Sequence, residues 1–406
     1  MKVLKKTLLL AAIGGSLFAT SASAEQVNLT WQMWTGSDAD TKGWQHLADM
    51  VTAKYPDIKV TLTTTGWVDY WTRLPVLAAS GQLADIVSMQ SLRMPNFYSL
   101  LEPLNDRIAA DKFDVGAFTP SIIGGMSVDK QLYGLPYDVG PWVIYYNQDA
   151  LQAAGIPLPK PGWTLAEFTD AAKKLTKDGK YGFGITPQNY SVLASAWGDK
   201  YVNDSGDLDL TNPSAIAAAE RVIGFAAKDK VAPLVPSSAD AGTVIQGRFY
   251  SGNVAMYVDG PWSIIGMKDK VKFKVGSTTL PRAEGELTAV TAGSGFGIAT
   301  TSKNKDAAWK AIQVLTSPEA LQYLAEQGRA LPARTASQSS WYKVAAKDIT
   351  NGGEALDYSL AHSVPYVITN NWAAVENLFN QYFPPAFGGS ADAKQTMESI
   401  QSLAQQ

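Results

Sequence analysis

From residue 27 the chain alternates apolar and polar positions, with Val27, Leu29, Trp31 and Met33 separated by Asn28, Thr30 and Gln32. A period of two predicts a half-buried strand over Val27–Trp34, ended by Thr35-Gly36-Ser37. The spacing then turns helical, with Leu47, Met50 and Val51 on one face and a stop near Tyr55-Pro56. Ile58–Leu62 reads as the next strand, Tyr70–Ser80 as a helix ending at Gly81, and Ala84–Ser88 as a short apolar strand. Strand, helix, strand, helix, strand is the order of a parallel sheet with covering helices.

Gln131–Asn147 breaks this rhythm. Gly134, Pro136, Gly140 and Pro141 punctuate it, yet Trp142–Tyr146 is strongly β-prone. The segment reads as an extended crossing between domains. A second α/β region follows. Thr164 and Glu167 form a capping box for a helix through Phe168, Ala172 and Leu175 toward Gly179. Asn212-Pro213 opens another helix. Val254–Val258 is a strand running into Asp259-Gly260-Pro261-Trp262. Thr288–Thr300, loosened by Gly293, Gly295 and Gly297, reads as a return crossing. Helices are expected at Asp306–Leu315 and at Pro318–Gln327, the second capped by Ser317 and stopped by Gly328. Trp341–Gln406 is mainly helical. The organisation is therefore α/β in two lobes: residues 25–135 with 290–338, and residues 136–289 with 339–406. Two lobes joined by several crossings can hinge about a cleft, which suits capture of a ligand by closure.

The first residues point to export. Lys2, Lys5 and Lys6 precede an apolar run from Leu8 to Ala19, and Ala22-Ser23-Ala24 is a small-x-small cleavage site. Residues 1–24 are expected to be a signal peptide, and the processed chain to begin at Glu25 in the periplasm. Processing removes three lysines and no acid, leaving 31 basic against 37 acidic residues. That mildly acidic balance argues against nucleic acid as a partner. The absence of cysteine excludes disulfides, thiolate metal sites and a lipid-bearing cysteine at the cleavage site. Twelve tryptophans are present. Aromatic faces of that size belong to a core or to a ligand site.

Catalytic signatures are sparse. His46 and His362 are the two histidines, and neither HExxH nor GxSxG occurs. No metal site, cofactor or catalytic residue is expected. Asp138 and Asp259 are candidate cleft acids. Paired carboxylates hydrolyse glycosides in some sites and accept hydrogen bonds from sugar hydroxyls in others, and spacing along the chain leaves both open. Asn203–Asp209 looks like a calcium loop but lacks the closing glutamate, and reads as an exposed turn. Gly293–Gly297 opens no helix and is not a phosphate loop. Trp71 and Trp309, both on helices, read as core.

Several stretches together resemble the extracellular solute-binding proteins of ATP-driven (ABC-type) sugar importers, the maltose-binding-protein-like group. They are Lys54–Val60 (KYPDIKV), Gly81–Val87 (GQLADIV), Leu132–Asp138 (LYGLPYD) running into Ile144–Asn147, and Val254–Trp262 (VAMYVDGPW). Ala307–Lys310 and Leu331–Arg334 complete the set. The resemblance implies a type II periplasmic-binding-protein fold, two lobes with three interlobe crossings. It implies a sugar ligand stacked on aromatic rings, membrane permease subunits as partners, and a monomer without enzymatic activity. By position, it implies ligand contacts at Trp34, Thr35, Gly36, Trp67, Asp69, Gln90 and Ser91 of the first lobe. The second lobe and the crossings would supply Asp138, Trp197, Asp259, Gly260, Trp262, Ser294, Gly295, Arg334 and Trp372. Ser88–Arg93 lacks the tryptophan and the Asp-Arg pair that maltose binders carry there, which argues against maltose itself. Acids at Asp69, Asp138 and Asp259 favour a neutral mono- or oligosaccharide. An anionic sugar or polyol derivative, met by Arg93, Arg329 or Arg334, is the alternative within the class, and a secreted glycoside-active enzyme is the alternative outside it.

Overall fold

The computed structural model describes residues 26–36, 38–238, 241–267, 270–283 and 289–405. The expected signal peptide and the start at Glu25 lie outside them. The alternating stretch forms β1 (Val27–Trp34), with Leu29, Trp31 and Met33 wholly buried. It pairs in parallel along its length with β2 (Ile58–Thr65), and in parallel with β3 (Ile86–Gln90). Between them lie α1 (Asp38–Lys54), which buries Trp44, Leu47, Ala48 and Val51, and α2 (Trp67–Ala79), which buries Tyr70, Trp71 and Leu74. Trp71 and Trp309 are buried, as expected of core residues.

The crossings and the second lobe contribute eight further short strands. These are β4 (Leu135–Pro136), β5 (Gly140–Pro141) and β6 (Val143–Asn147), then β7 (Met256–Asp259), β8 (Val275–Thr279), β9 (Ala289–Ala292), β10 (Ser294–Ile298) and β11 (Ser363–Pro365). The first sheet has the order β2-β1-β3-β10-β4, with β10 antiparallel to both neighbours because the chain re-enters from the other lobe. The second lobe carries an antiparallel β8-β6-β7 sheet and a β11-β9-β5 sheet. Sheet membership places the changeovers at Tyr137–Val139 and at Gly293, a few residues beyond the expected boundaries, which cut through β4 and β9.

Three strands of backbone lie side by side where the lobes meet. Tyr137 N–H donates to Ser294 O (2.8 Å), Val139 N–H to Leu331 O (3.0 Å) and Ala333 N–H to Tyr137 O (3.0 Å). Gly293 is required there, since a Cβ at that position would stand 2.4 Å from the Asp138 carbonyl oxygen. Local cap signals hold as read. Thr164 and Glu167 close a reciprocal capping box, and Asn212 and Ser317 accept from Ala215 and Ala320 N–H.

Candidate functional site

A cleft of about 520 Å³ opens between the first sheet and the second lobe, floored by the crossings. Its walls are built from the ends of strands, where α/β sheets present their loops to ligands. On the first-lobe side β1 ends in Trp34, Thr35 and Gly36, α2 starts with Trp67, and β3 ends in Gln90. Trp34 is buried and meets Trp67, Tyr70 and Trp71 with ring centroids 5.1–5.5 Å apart. That cluster holds Trp67 rigidly while leaving it 39 % exposed. An ordered, half-exposed indole is a stacking surface whose side-chain entropy is already lost.

The second-lobe side is built differently. β7 ends in Asp259, and Gly260-Pro261 turns the chain so that Trp262 folds back over it. A Cβ on Gly260 would stand 2.2 Å from the Trp262 ring, and one on Gly140 would stand 2.8 Å from it. The indole therefore lies on two bare α-carbons, steadied edge-on by Trp142 at 5.5 Å. Tyr145 hydroxyl donates to the Gly260 carbonyl (3.0 Å) and fixes the turn. Thr186, Thr243 and Gln246 complete this wall.

Two carboxylates line the same cleft. Asp138 is buried on the middle crossing and accepts from Ser294 N–H at 2.6 Å. Burial pushes its pKa up to about 7, although the charge of Arg329 and the Ser294 N–H pull it down. Asp259 accepts from Gly260 N–H (2.8 Å) and lies 3.4 Å from Gln246 Nε2. Its pKa is also raised by burial, against the donors of Ser263, Gly260, Trp262 and Gln246. Both present oxygen acceptors to the cleft. Beneath them, Arg329 Nε stands 2.5 Å from Asp40 Oδ1.

Nine of the sixteen expected site residues line the cleft: Trp34, Thr35, Gly36, Trp67, Gln90, Asp138, Asp259, Trp262 and Ser294. The other seven do not. Asp69 is exposed in the first turn of α2. Ser91 braces a crossing, its N–H donating to Gly293 O (2.8 Å) and its hydroxyl accepting from Gly293 N–H (3.2 Å). Gly260 carries the Trp262 ring, and Gly295 fits against the Leu135 carbonyl, 2.5 Å from where its Cβ would be. Trp197 donates through Nε1 to Pro281 O (2.9 Å) beneath the Arg221 guanidinium. Trp372 is 1 % exposed among Tyr201, Tyr366 and Phe379. Arg334 lies over the Phe118 ring (4.3 Å) and donates to Thr316 O (2.7 Å).

Residues 46–351 match the family described as bacterial extracellular solute-binding protein. The chain belongs to that family. Among its relatives is a maltooligosaccharide ABC transporter solute-binding lipoprotein of Streptococcus pneumoniae, 26 % identical over 82 % of this chain and 79 % of the relative. A galactooligosaccharide-binding protein of Bacillus subtilis is 24 % identical over 82 % of each chain. A solved structure of an ABC substrate-binding protein from Listeria monocytogenes, in complex with cycloalternan, superposes with a TM-score of 0.85 at 22 % identity, covering 94 % of this chain and 98 % of that one. The two-lobe fold is thereby shown.

In this solute-binding protein several cleft residues escape sequence reading: Asp40, Tyr137, Thr186, Thr243 and Gln246, while Arg329, expected there for an anionic ligand, lines the cleft as well. Tyr137 had a usable signal, standing beside Asp138 in the LYGLPYD stretch. Arg329 follows the Gly328 helix stop, so the Arg-Ala-Leu-Pro run marks a crossing as much as a surface turn. Thr243 and Gln246 lie in the helix Ala241–Tyr250 with no local mark of function.

Proposed function

We propose that this protein is a periplasmic receptor that captures a neutral mono- or oligosaccharide between its lobes and delivers it to the permease subunits of an ABC-type importer. One observation carries the reading: the exposed Trp67 ring of one wall, the Trp262 ring of the other and two carboxylates, Asp138 and Asp259, line one cleft. A sugar offers apolar C–H faces to rings and hydroxyl donors to carboxylates, and that cleft supplies both. The relatives named for maltooligosaccharide and galactooligosaccharide support the ligand class and the importer.

The assigned contacts are Trp34, Thr35, Gly36, Trp67, Gln90, Asp138, Asp259, Trp262 and Ser294, to which we add Asp40, Thr186, Thr243, Gln246 and Arg329. The protein acts as a monomer and does no chemistry on its ligand. The anionic-ligand alternative loses two of its arginines: Arg334 is turned to Phe118, and Arg93 stands 3.2 Å from Glu376 and over Trp71. Titration calorimetry against a panel of neutral and acidic mono- and oligosaccharides tests the reading. Saturable binding of a neutral sugar, unchanged between low and moderate salt, is expected. Binding of acidic sugars alone, or release of cleaved products on incubation, overturns it.

A further inference from the structure

Among the described residues lining the cleft, Arg329 is the one lysine or arginine. It is deeply buried, with its guanidinium 5.1 Å from the Trp44 ring centre. Burial alone would weaken its hold on the proton. The charge of Asp40, with that of Asp138 behind it, outweighs burial and leaves the pKa above its usual value. Asp40 is built for this role. It sits in the first turn of α1, one oxygen 2.5 Å from Arg329 Nε and the other accepting Gly36 N–H at 3.0 Å. Its side chain is 10 % exposed and that of Arg329 12 %.

A buried guanidinium at a ligand site ordinarily selects carboxylates, phosphates or sulfates, which it grips through its fork. Here the guanidinium already has a carboxylate against its Nε, inside the wall and away from solvent screening. The cleft therefore meets N–H donors without net positive charge. An anionic ligand arriving there faces the field of Asp40 and Asp138 together, whereas a hydroxyl or ring oxygen accepts from the guanidinium at no such cost. Resting on the carbohydrate reading above, we propose that Asp40 is a specificity-determining residue: by neutralising Arg329 within the wall, it makes the receptor prefer uncharged sugars over their acidic counterparts.

A purely structural ion pair, tying α1 to the segment after Gly328, makes a different prediction, because its loss weakens every ligand alike. The experiment compares glucose, galactose, maltose and lactose with glucuronate and galacturonate at pH 7.5, by calorimetry. Wild-type protein should bind its best neutral sugar at least about a hundredfold more tightly than the matching uronate, the size of effect that a like charge produces at a desolvated site. Asp40→Asn keeps an acceptor for Gly36 and frees the guanidinium, and should narrow that ratio about tenfold or invert it. Asp40→Glu should restore the wild-type preference, and Arg329→Gln added to Asp40→Asn should abolish the gain for uronates. An unchanged ratio in folded Asp40→Asn overturns the proposal. Should that variant not fold, the wild-type ratio decides, and a value near one overturns it. Absence of binding to any sugar removes the receptor reading and this proposal with it, whereas neutral-sugar binding with an unaltered ratio removes only the role of Asp40.

Discussion

Trp262 lies on backbone that carries no side chain, whereas Trp372 is held among the rings of Tyr201, Tyr366 and Phe379. Both lie at helical starts, Trp262 within the three-residue turn Pro261–Ser263 and Trp372 at the head of the 16-residue helix Trp372–Phe387. The same side chain thus has two uses, and what decides between them is what lies underneath. Gly260 and Gly140 provide a flat bed that leaves the other face of Trp262 free for the cleft. The rings around Trp372 bury it almost wholly in packing. A tryptophan on glycine costs little conformational entropy on binding, because the turn has already ordered it. A tryptophan among aromatics contributes its area to folding instead.

The largest effect expected from this contrast is on stability. Trp372→Ala should lower the unfolding free energy by about 3–5 kcal/mol in denaturant titrations, while the affinity of the remaining folded protein for its sugar holds. Lost affinity at unchanged stability would put Trp372 on the ligand side after all.

The floor of the cleft comes next. Asp138 keeps its proton to about pH 7 when folded, against an ordinary value of 3.8. The folded state therefore binds more protons than the unfolded one across that window. The stabilisation linked to Asp138 is fully present at the acid end and declines as pH rises toward 7. Its size is on the order of a few kcal/mol. Asp138→Asn should flatten the fall in melting free energy between pH 4 and pH 7, and a slope identical to wild type would remove Asp138 as its source.

Trp262→Ala should weaken sugar binding by about 1.5–3 kcal/mol, with a smaller change in stability. Gly260→Ala sharpens the contrast, since its new methyl group drives the ring off its bed and should reproduce most of that loss with the tryptophan still present. If Gly260→Ala binds like wild type, the glycine bed is not what positions the ring. Trp67→Ala should have the smallest effect, about 1 kcal/mol in affinity, because the ring is already 39 % exposed and Trp34 persists behind it. A loss exceeding that of Trp262→Ala would reverse the order of the two walls.

The contrast also marks what can be read from a sequence. Signals that act within a few residues are visible: the alternation of Val27–Trp34, the Thr164–Glu167 box and the Ser317 cap each have a local cause. Trp34, Gln90 and Asp259 were placed by the family resemblance, with which the habit of α/β chains to put their loops at one edge agrees. Pairings that arise only after folding are not visible. Arg334 and Arg329 are five positions apart, yet one lies over Phe118 and the other faces Asp40, and nothing near either says which. Trp197 and Trp262 differ in their surroundings, not in their own chemistry. Gly295 and Ser91 stand next to cleft residues but are occupied by the backbone of a neighbouring crossing. The short strands β4 and β5 were hidden in a stretch punctuated by Gly and Pro, because the change of sheet is made by partners that lie far off in the chain.

That distance has a consequence for how the protein is made. Ser91 N–H bonds to Gly293 O, and Gly293 N–H returns to the Ser91 hydroxyl across 202 residues. The first sheet therefore lacks its fourth strand, and β3 keeps an open edge, until the chain is complete through Ile298. Contacts of such separation form late and slowly. The amino-terminal stretch therefore cannot finish its lobe alone, and a fragment that ends before Ser294 should keep a sheet edge open to other chains.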